Sequence, residues 1–271
     1  MVKDKSKIVF VSDMDGTLLS ADKTLSKRNA DAIARLREAG GIFAVATGRV
    51  LQATEHYFKP FGLECPVILC NGGMIYNCGE KKVLFAEYLD SKSARATVAE
   101  LLEKFPQVCA EICTPDCIYD VQINEQEKYH WKIGGFTAKV CDSLDEVPED
   151  KWCKILFAMP ENIMPAFAEC AAAFSHEAEF FSSNPIFFEM LPKGCTKGTA
   201  LEKLIKALGR EDAYTVAMGD FNNDIQMLQY ADFAACPSNA IDEVKAICDL
   251  VCSSDCTQGA VAEAIDYILI K

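Results

Sequence analysis

Positive charge is scarce in this chain. Of its 271 residues, 27 are Lys or Arg and 40 are Asp or Glu, a formal net charge of −13 at neutral pH. Such a surface repels phosphodiester backbones and anionic lipid, so nucleic-acid and membrane-surface binding are excluded as the expected function. An anionic small molecule would have to meet a local positive site built against the overall field. Long apolar runs are missing as well. The most apolar stretch, residues 163–174, carries Pro165 and Glu169, whereas a membrane span needs roughly 18 or more apolar residues. The charged start MVKDKSK is followed only by Ile8 to Val11 before Ser12-Asp13, too short a core for a secretion signal, and no Asn-x-Ser/Thr sequon is present. A cytoplasmic location is expected.

Histidine is rare too, with 3 residues, and the 14 cysteines contain no C-x-x-C pair. That argues against a zinc knuckle or a dithiol redox motif. Two cysteine series run at four-residue spacing, Cys109, Cys113, Cys117 and Cys248, Cys252, Cys256. Without an export signal these thiols are expected to be reduced and to pack as small apolar groups rather than to ligate metal. What the chain does contain is ordinary for a globular protein: 50% hydrophobic and 25% charged residues. Disorder, collagen and coiled coil are excluded, and one or two domains fit the length.

Periodicity organises the chain. KIVFVS (Lys7–Ser12) is a continuous apolar run, the pattern of a strand buried on both faces. Ser26 opens a helix with Ile33 and Leu36 on one face, ended by Gly40-Gly41. Further strands are expected at Ile42–Ala46 and Val67–Cys70, with a helix from Val50 to Phe58 between them, a βαβαβ order that implies a parallel sheet. The last third repeats the style, with a helix capped by Thr196 and stopped by Gly209, a strand Tyr214–Met218, a helix through Ile225, Met227 and Leu228, and short strands at Asp232–Ala235 and Leu250–Val251.

The middle reads differently. Helices are expected at Ser91–Lys104 and Met164–Phe174, strands at Val108–Cys113, Cys117–Gln122, Lys154–Met159 and Ile186–Leu191, and a solvated acidic loop at Asp142–Asp150. The expected architecture is an α/β fold with a Rossmann-like parallel-sheet core, residues 1–83 and 193–271, and an inserted α+β domain, residues 84–192.

Asp13-Met14-Asp15-Gly16-Thr17 directly follows the first buried strand. Ligands in open α/β sheets bind at the carboxyl ends of strands, and residues two apart in extended chain point the same way, so Asp13 and Asp15 can converge. A calcium loop needs Gly at position 6 and Glu at position 12. This segment has its Gly at the fourth position. Gly219-Asp220-Phe221-Asn222-Asn223-Asp224 fails the same test, and taken alone it is as readily a helix cap. Together, four carboxylates at one sheet edge would repel unless a hard divalent cation held them. Thr47-Gly48-Arg49, after a strand and expected to open a helix, can offer backbone N–H groups and a hydroxyl to a phosphate oxygen. Lys197, in the first turn of its helix, opposes the macrodipole, a penalty that a nearby anion would remove. Either element singly is more readily a surface turn.

In this order the segments resemble the haloacid dehalogenase (HAD) superfamily of phosphohydrolases. DMDGTLL matches its first motif, Thr47-Gly48 the second, Lys197 the third and GDFNND the fourth. CNGGMIY, LPKGCTKGTAL, PSNAIDEVKAICD and TQGAVAEAI further resemble the Cof-type, class IIB phosphatases. In the insert only position and approximate size match. The subgroup often has Ala where Gly73 stands, and a Gly-containing turn is common where Cys236-Pro237-Ser238 precedes Asn239.

The resemblance implies a phosphatase acting on small phosphorylated metabolites, sugar phosphates first. Asp13 would be the nucleophile that forms an aspartyl-phosphate, and Asp15 the acid and base. Thr47, Gly48, Lys197 and Asn223 would hold the phosphoryl group. Mg²⁺ would be held by the Asp13 carboxylate, the Asp15 carbonyl and Asp220, with Asp224 in support. The insert would be a cap that selects the leaving group. His130, Trp131, Lys132 and Arg95 are its candidate contacts, though each singly is more readily a surface or packing residue. Two alternatives stay open, a phosphosugar mutase of the phosphomannomutase type and a non-catalytic phosphosugar sensor. Substrate identity and oligomeric state are not legible.

Overall fold

The computed structural model describes residues 4–20 and 22–270. The first three residues of the MVKDKSK start lie outside them. The chain divides into two compact units, one of Met1–Gly48, Tyr57–Phe85 and Thr196–Lys271, the other of Arg49–His56 and Ala86–Cys195.

In the first unit a five-stranded sheet runs in the order Leu250–Val251, Phe233–Cys236, Tyr214–Met218, Ile8–Ser12, Ile42–Val45, with every pairing parallel. All of Ile8–Ser12 is buried, as the unbroken apolar run requires of a strand covered on both faces. Val9 and Val11 pack with Ala44, Ala217, Leu201 and Leu204, and Phe10 stacks on Phe43 at 5.8 Å between ring centroids. The helix Lys27–Glu38 is capped by the Ser26 hydroxyl, which accepts from the Asn29 N–H at 3.1 Å. It buries Asn29, Ala32, Ile33 and Leu36 along one stripe. Asn29 ties it inward, its amide donating to the Leu18 carbonyl at 3.1 Å and accepting from the Ala262 N–H at 2.9 Å.

Two expectations for this part of the chain are corrected. The third strand, Pro66–Leu69, does not extend the parallel sheet as a ladder. It pairs antiparallel with Met74–Asn77 in a small three-stranded sheet and meets the second strand through a single parallel bridge, Ala46 to Ile68. The chain reverses within Cys70–Gly72, where Cys70 and Asn71 have φ of 53° and 52°, so the next strand returns beside the one just made. The helix expected from Val50 is only Glu55–Phe58. Upstream the backbone turns instead, and the Thr54 hydroxyl donates back to the Val50 carbonyl at 2.8 Å, a side-chain bond that competes with regular helix.

The second unit is built on a six-stranded sheet, in the order Ala178–Asn184, Phe187–Pro192, Lys154–Ala158, Cys109–Cys113, Ile118–Val121, Lys139–Cys141. It is antiparallel except for the last pair. Strand alternation separates its faces. Ala110, Ile112, Ile155, Phe157, Phe188 and Met190 join Val98, Leu101 and Phe167 of the helices Ser91–Lys104 and Met164–Ala171 in one apolar core. The alternate positions, Cys109, Glu111, Asp120, Lys154 and Glu189, are buried as well. Sequence periodicity misses the helix Glu125–Gly134 and the strands Lys139–Cys141 and Ala178–Asn184. In that helix the buried positions are Glu127 and Gly134, so no apolar stripe marks its inner face.

All 14 cysteines are free and none is exposed. Among the described residues no helix is long and apolar enough to cross a membrane.

Candidate active site

The register of the central strands assembles the site. Ile8–Ser12 and Tyr214–Met218 are neighbours with Ser12 opposite Met218, and the Asp13 N–H donates to the Met218 carbonyl at 2.8 Å. Asp13 and Gly219-Asp220 therefore leave adjacent strand ends together, at the point where chain connections diverge to either side of the sheet. Gly16, at φ 83°, is required there, because a Cβ on it would lie 2.5 Å from Asp220 Oδ2. Thr17, fully buried, donates from its hydroxyl to Asp220 Oδ1 at 2.6 Å. Asn239 Nδ2 donates to the Gly16 carbonyl at 2.8 Å and holds the turn from the other side.

Lys197 enters at the start of the helix Lys197–Ala207, whose N-terminus is a reciprocal capping box of Thr196 and Thr199. Its side chain is fully buried, and Nζ donates to Asp13 Oδ1 and, at 2.7 Å, to Asp224 Oδ1. The lysine that opposes its own helix dipole is thus held by two carboxylates. Asp224 Oδ2 accepts the N–H groups of Asp220 and Phe221 at 2.9 and 3.1 Å, fixing the loop on which Asp220 stands. Burial drives the Asp13 carboxyl well above its ordinary range, with Lys197 opposing and Asp224, Asp220 and Asp15 adding to the rise. Burial likewise raises Asp220 to about 6, against the Thr17 hydrogen bond.

Asp13, Asp220 and Asp224 each offer an oxygen within 4.8 Å of the others. Three carboxyl groups crowd one lysine in a buried place, and the burial and mutual repulsion that hold Asp13 and Asp220 above their ordinary range would be relieved by a hard divalent cation. Asp15 differs from these three. Its carboxylate lies 2.7 Å from Lys23 Nζ, and both side chains are about a third exposed.

The second strand supplies Thr47 and Gly48. The Thr47 N–H donates to the Ile68 carbonyl at 2.9 Å and its carbonyl accepts from the Asn71 N–H at 3.0 Å. That N–H belongs to the sheet edge rather than to a helix start, which corrects the expectation of a helix N-terminus at this turn. A Cβ on Gly48 would meet the Asn71 amide at 2.9 Å. Asn71 in turn accepts from Asn223 Nδ2 at 2.9 Å, so the second and fourth motif segments are tied through one amide. The pattern reading gives no role to Thr17, Lys23 or Asn71. Only the positive φ of Asn71, in an Asn-Gly-Gly turn, leaves a trace in sequence.

In the second unit Trp131 Nε1 donates to Asp120 Oδ2 at 2.9 Å, and Arg95 pairs with Asp145 at 2.8 Å. His130 faces Glu111 and Glu127. Three of the four proposed leaving-group contacts are thus engaged with carboxylates of their own unit.

The family model for haloacid dehalogenase-like hydrolases matches residues 10–265. The 5-amino-6-(5-phospho-D-ribitylamino)uracil phosphatase YwtE of Bacillus subtilis is 29% identical, over 95% of this chain and 96% of its own length. The pyridoxal phosphate phosphatase YbhA of Escherichia coli is also 29% identical, over 97% of this chain and 98% of its own. In fold the chain is similar to a haloacid dehalogenase-like hydrolase from Bacteroides thetaiotaomicron, with a TM-score of 0.86, 21% identity and coverage of 96% and 98%.

Proposed function

The chain belongs to the haloacid dehalogenase-like hydrolases, and on that footing we propose that it is a Mg²⁺-dependent phosphomonoesterase of the Cof-type, class IIB subgroup, working through an aspartyl-phosphate. The observation that carries the reading is the buried ion pair of Lys197 with Asp13 and Asp224 beside Asp220, at the ends of the two central strands.

Asp13, Asp220 and Asp224, with the Asp15 carbonyl, would hold the cation, which when bound supplies neutralising charge to the phosphoryl oxygens. The Asp13 carboxylate attacks phosphorus, the ester P–O bond breaks, and the Asp15 carboxyl gives its proton to the departing alkoxide. Asp15 then takes a proton from water, the resulting hydroxide attacks the phosphorus of the aspartyl-phosphate, and inorganic phosphate leaves with Asp13 restored. Lys197, Thr47, Gly48 and Asn223 orient the transferring group, so catalysis is mostly positioning and charge neutralisation. Partial exposure suits Asp15 to exchange protons with solvent, as burial suits Asp13 to attack rather than to be hydrated.

Small phosphorylated metabolites are the substrates, with sugar phosphates the proposed class. The two relatives are named for substrates that each carry a phosphate on a primary alcohol, which supports a primary-alcohol phosphate over an aryl one. The test is phosphate release from a panel of sugar phosphates, nucleotides and an aryl phosphate, with Mg²⁺ and with EDTA. Release confined to the Mg²⁺ arm and highest on sugar phosphates is expected, and release that survives EDTA overturns the metal's part.

Thr17 provides a finer check. Thr17→Val keeps the buried shape and removes the hydroxyl that orients Asp220. The Mg²⁺ concentration for half-maximal activity is expected to rise about 10- to 100-fold, as for loss of a group that orients a metal ligand. An unchanged Mg²⁺ dependence would take Asp220 out of the cation site.

A further inference from the structure

The second unit holds a cluster of acid groups that phosphate release does not use. Glu111 and Asp120 stand opposite each other on the neighbouring strands Cys109–Cys113 and Ile118–Val121. Glu127 and His130, one turn apart on the helix Glu125–Gly134, come against them from the same helix face. The Glu111 and Glu127 side chains are 2% and 0% exposed. Glu111 Oε1 receives the Cys113 thiol and Asp120 Oδ2 receives Trp131 Nε1. The remaining atoms, Glu111 Oε2, Asp120 Oδ1, both Glu127 oxygens and His130 Nδ1, make no well-aligned hydrogen bond, and the contacts of His130 Nδ1 with Glu111 and Glu127 are ion pairs only. A carboxylate buried with neither oxygen hydrogen-bonded is among the most unfavourable arrangements in a protein interior.

Charge and distance point the same way. The nearby Lys154 is already matched by Glu189 at 2.8 Å. That leaves three carboxyl groups facing one imidazole, and burial together with the neighbouring Glu111 pushes Asp120 up to about 8 and Glu127 up to about 9. His130 Nδ1 lies 3.1 Å from Glu111 Oε2 and 3.4 Å from Glu127 Oε1, and donor atoms of the three residues all fall within 4.8 Å of one another. Four donors placed tetrahedrally about 2.1 Å from a zinc-sized ion are about 3.4 Å apart. The two His130 distances match that spacing, and all three residues offer an atom close enough to share one ion.

We propose that Glu111, Glu127 and His130 Nδ1 form a second divalent-cation site, specific to the insert and independent of the phosphatase reading. A mixed set of carboxylate oxygens and an imidazole nitrogen selects a first-row transition ion of the zinc type over Mg²⁺ or Ca²⁺, which prefer oxygen alone. Binding requires the Nδ1 lone pair, so the ion takes the place of a ring proton. It ties the Glu125–Gly134 helix to the sheet, where an apolar stripe would ordinarily serve. The fourth position falls to water or to Asp120 Oδ1.

The experiment uses the full chain with the first site disabled by Asp13→Asn and Asp220→Asn, stripped with chelator and dialysed against Zn²⁺. Elemental analysis is expected to find about one zinc per chain, and Co²⁺ in its place should give visible ligand-field bands. Adding Glu127→Gln or His130→Gln should abolish both while far-ultraviolet circular dichroism stays unchanged. Absence of zinc from the double variant, or retention of the same zinc after Glu127→Gln and His130→Gln, overturns the proposal. If those substitutions prevent folding, the Co²⁺-loaded double variant still decides by NMR. Of the three histidines, His56, His130 and His176, one ring should be strongly shifted by the paramagnetic ion, and none shifted overturns the site.

Discussion

Asp13→Asn is expected to bring phosphate release down to background, a loss on the order of 10⁴-fold or more in kcat. The amide has the carboxylate's shape but no anionic oxygen to attack phosphorus, so the covalent step has no substitute within reach. The fold should survive. Lys197 keeps its contact with Asp224 at 2.7 Å, and removing one of three carboxylates from a buried, overcharged site relieves repulsion. Steady-state kinetics with Mg²⁺ and a denaturant melt of the same preparation give the two numbers. A variant that folds and still keeps a tenth of the activity contradicts nucleophilic catalysis by Asp13.

Lys197→Ala is the second large effect, and it should appear in two measurements. Lys197 is fully buried and its Nζ is shared by Asp13 and Asp224. Those carboxylates in turn hold its proton more firmly than an ordinary lysine does, despite the opposing effect of burial. Removing one partner of a buried ion pair costs about 3–5 kcal/mol, because the other is left uncompensated. In metal-free buffer the unfolding midpoint should fall accordingly, and Mg²⁺, which binds only the folded site, should restore part of it. Turnover should fall about 10²- to 10³-fold, the usual loss when one preorganised charge at a transition state is deleted. If KM rises while kcat is unchanged, Lys197 serves ground-state binding and its part in the chemistry is wrong.

Where elements were legible in the chain, an apolar pattern coincided with a capping or turn residue. Ser26 and Thr196 sit at the N-caps of Lys27–Glu38 and Lys197–Ala207, and the stripes behind them are regular. The strand Ile8–Ser12 shows as five consecutive residues because both its faces are covered. The misses have equally local causes. Glu125–Gly134 turns a glutamate inward, which breaks the period that marks an amphipathic helix. Val50 to Thr54 has helix-like apolar spacing, but the Thr54 hydroxyl bonds back to Val50 and the backbone turns instead. The reversal at Cys70-Asn71 depends on two residues held at positive φ, which side-chain pattern does not encode.

Read alone, the chain determines the α/β class, the excess of negative charge, and which residue types stand at the ends of buried strands. Those properties are carried by neighbours in sequence, through strand alternation, helix period and capping. Convergence is a different matter. Lys197 reaches Asp13 across 184 positions, and Thr17 reaches Asp220 across 203. The second exists because Ser12 is registered against Met218 in the parallel sheet, and the first because Ala200, Leu201 and Leu204 of the Lys197–Ala207 helix pack on that sheet. The same holds for Glu111, Asp120, Glu127 and His130. Each is an ordinary polar residue in its own segment, and only strand pairing and the docking of one helix gather them into one largely buried cluster.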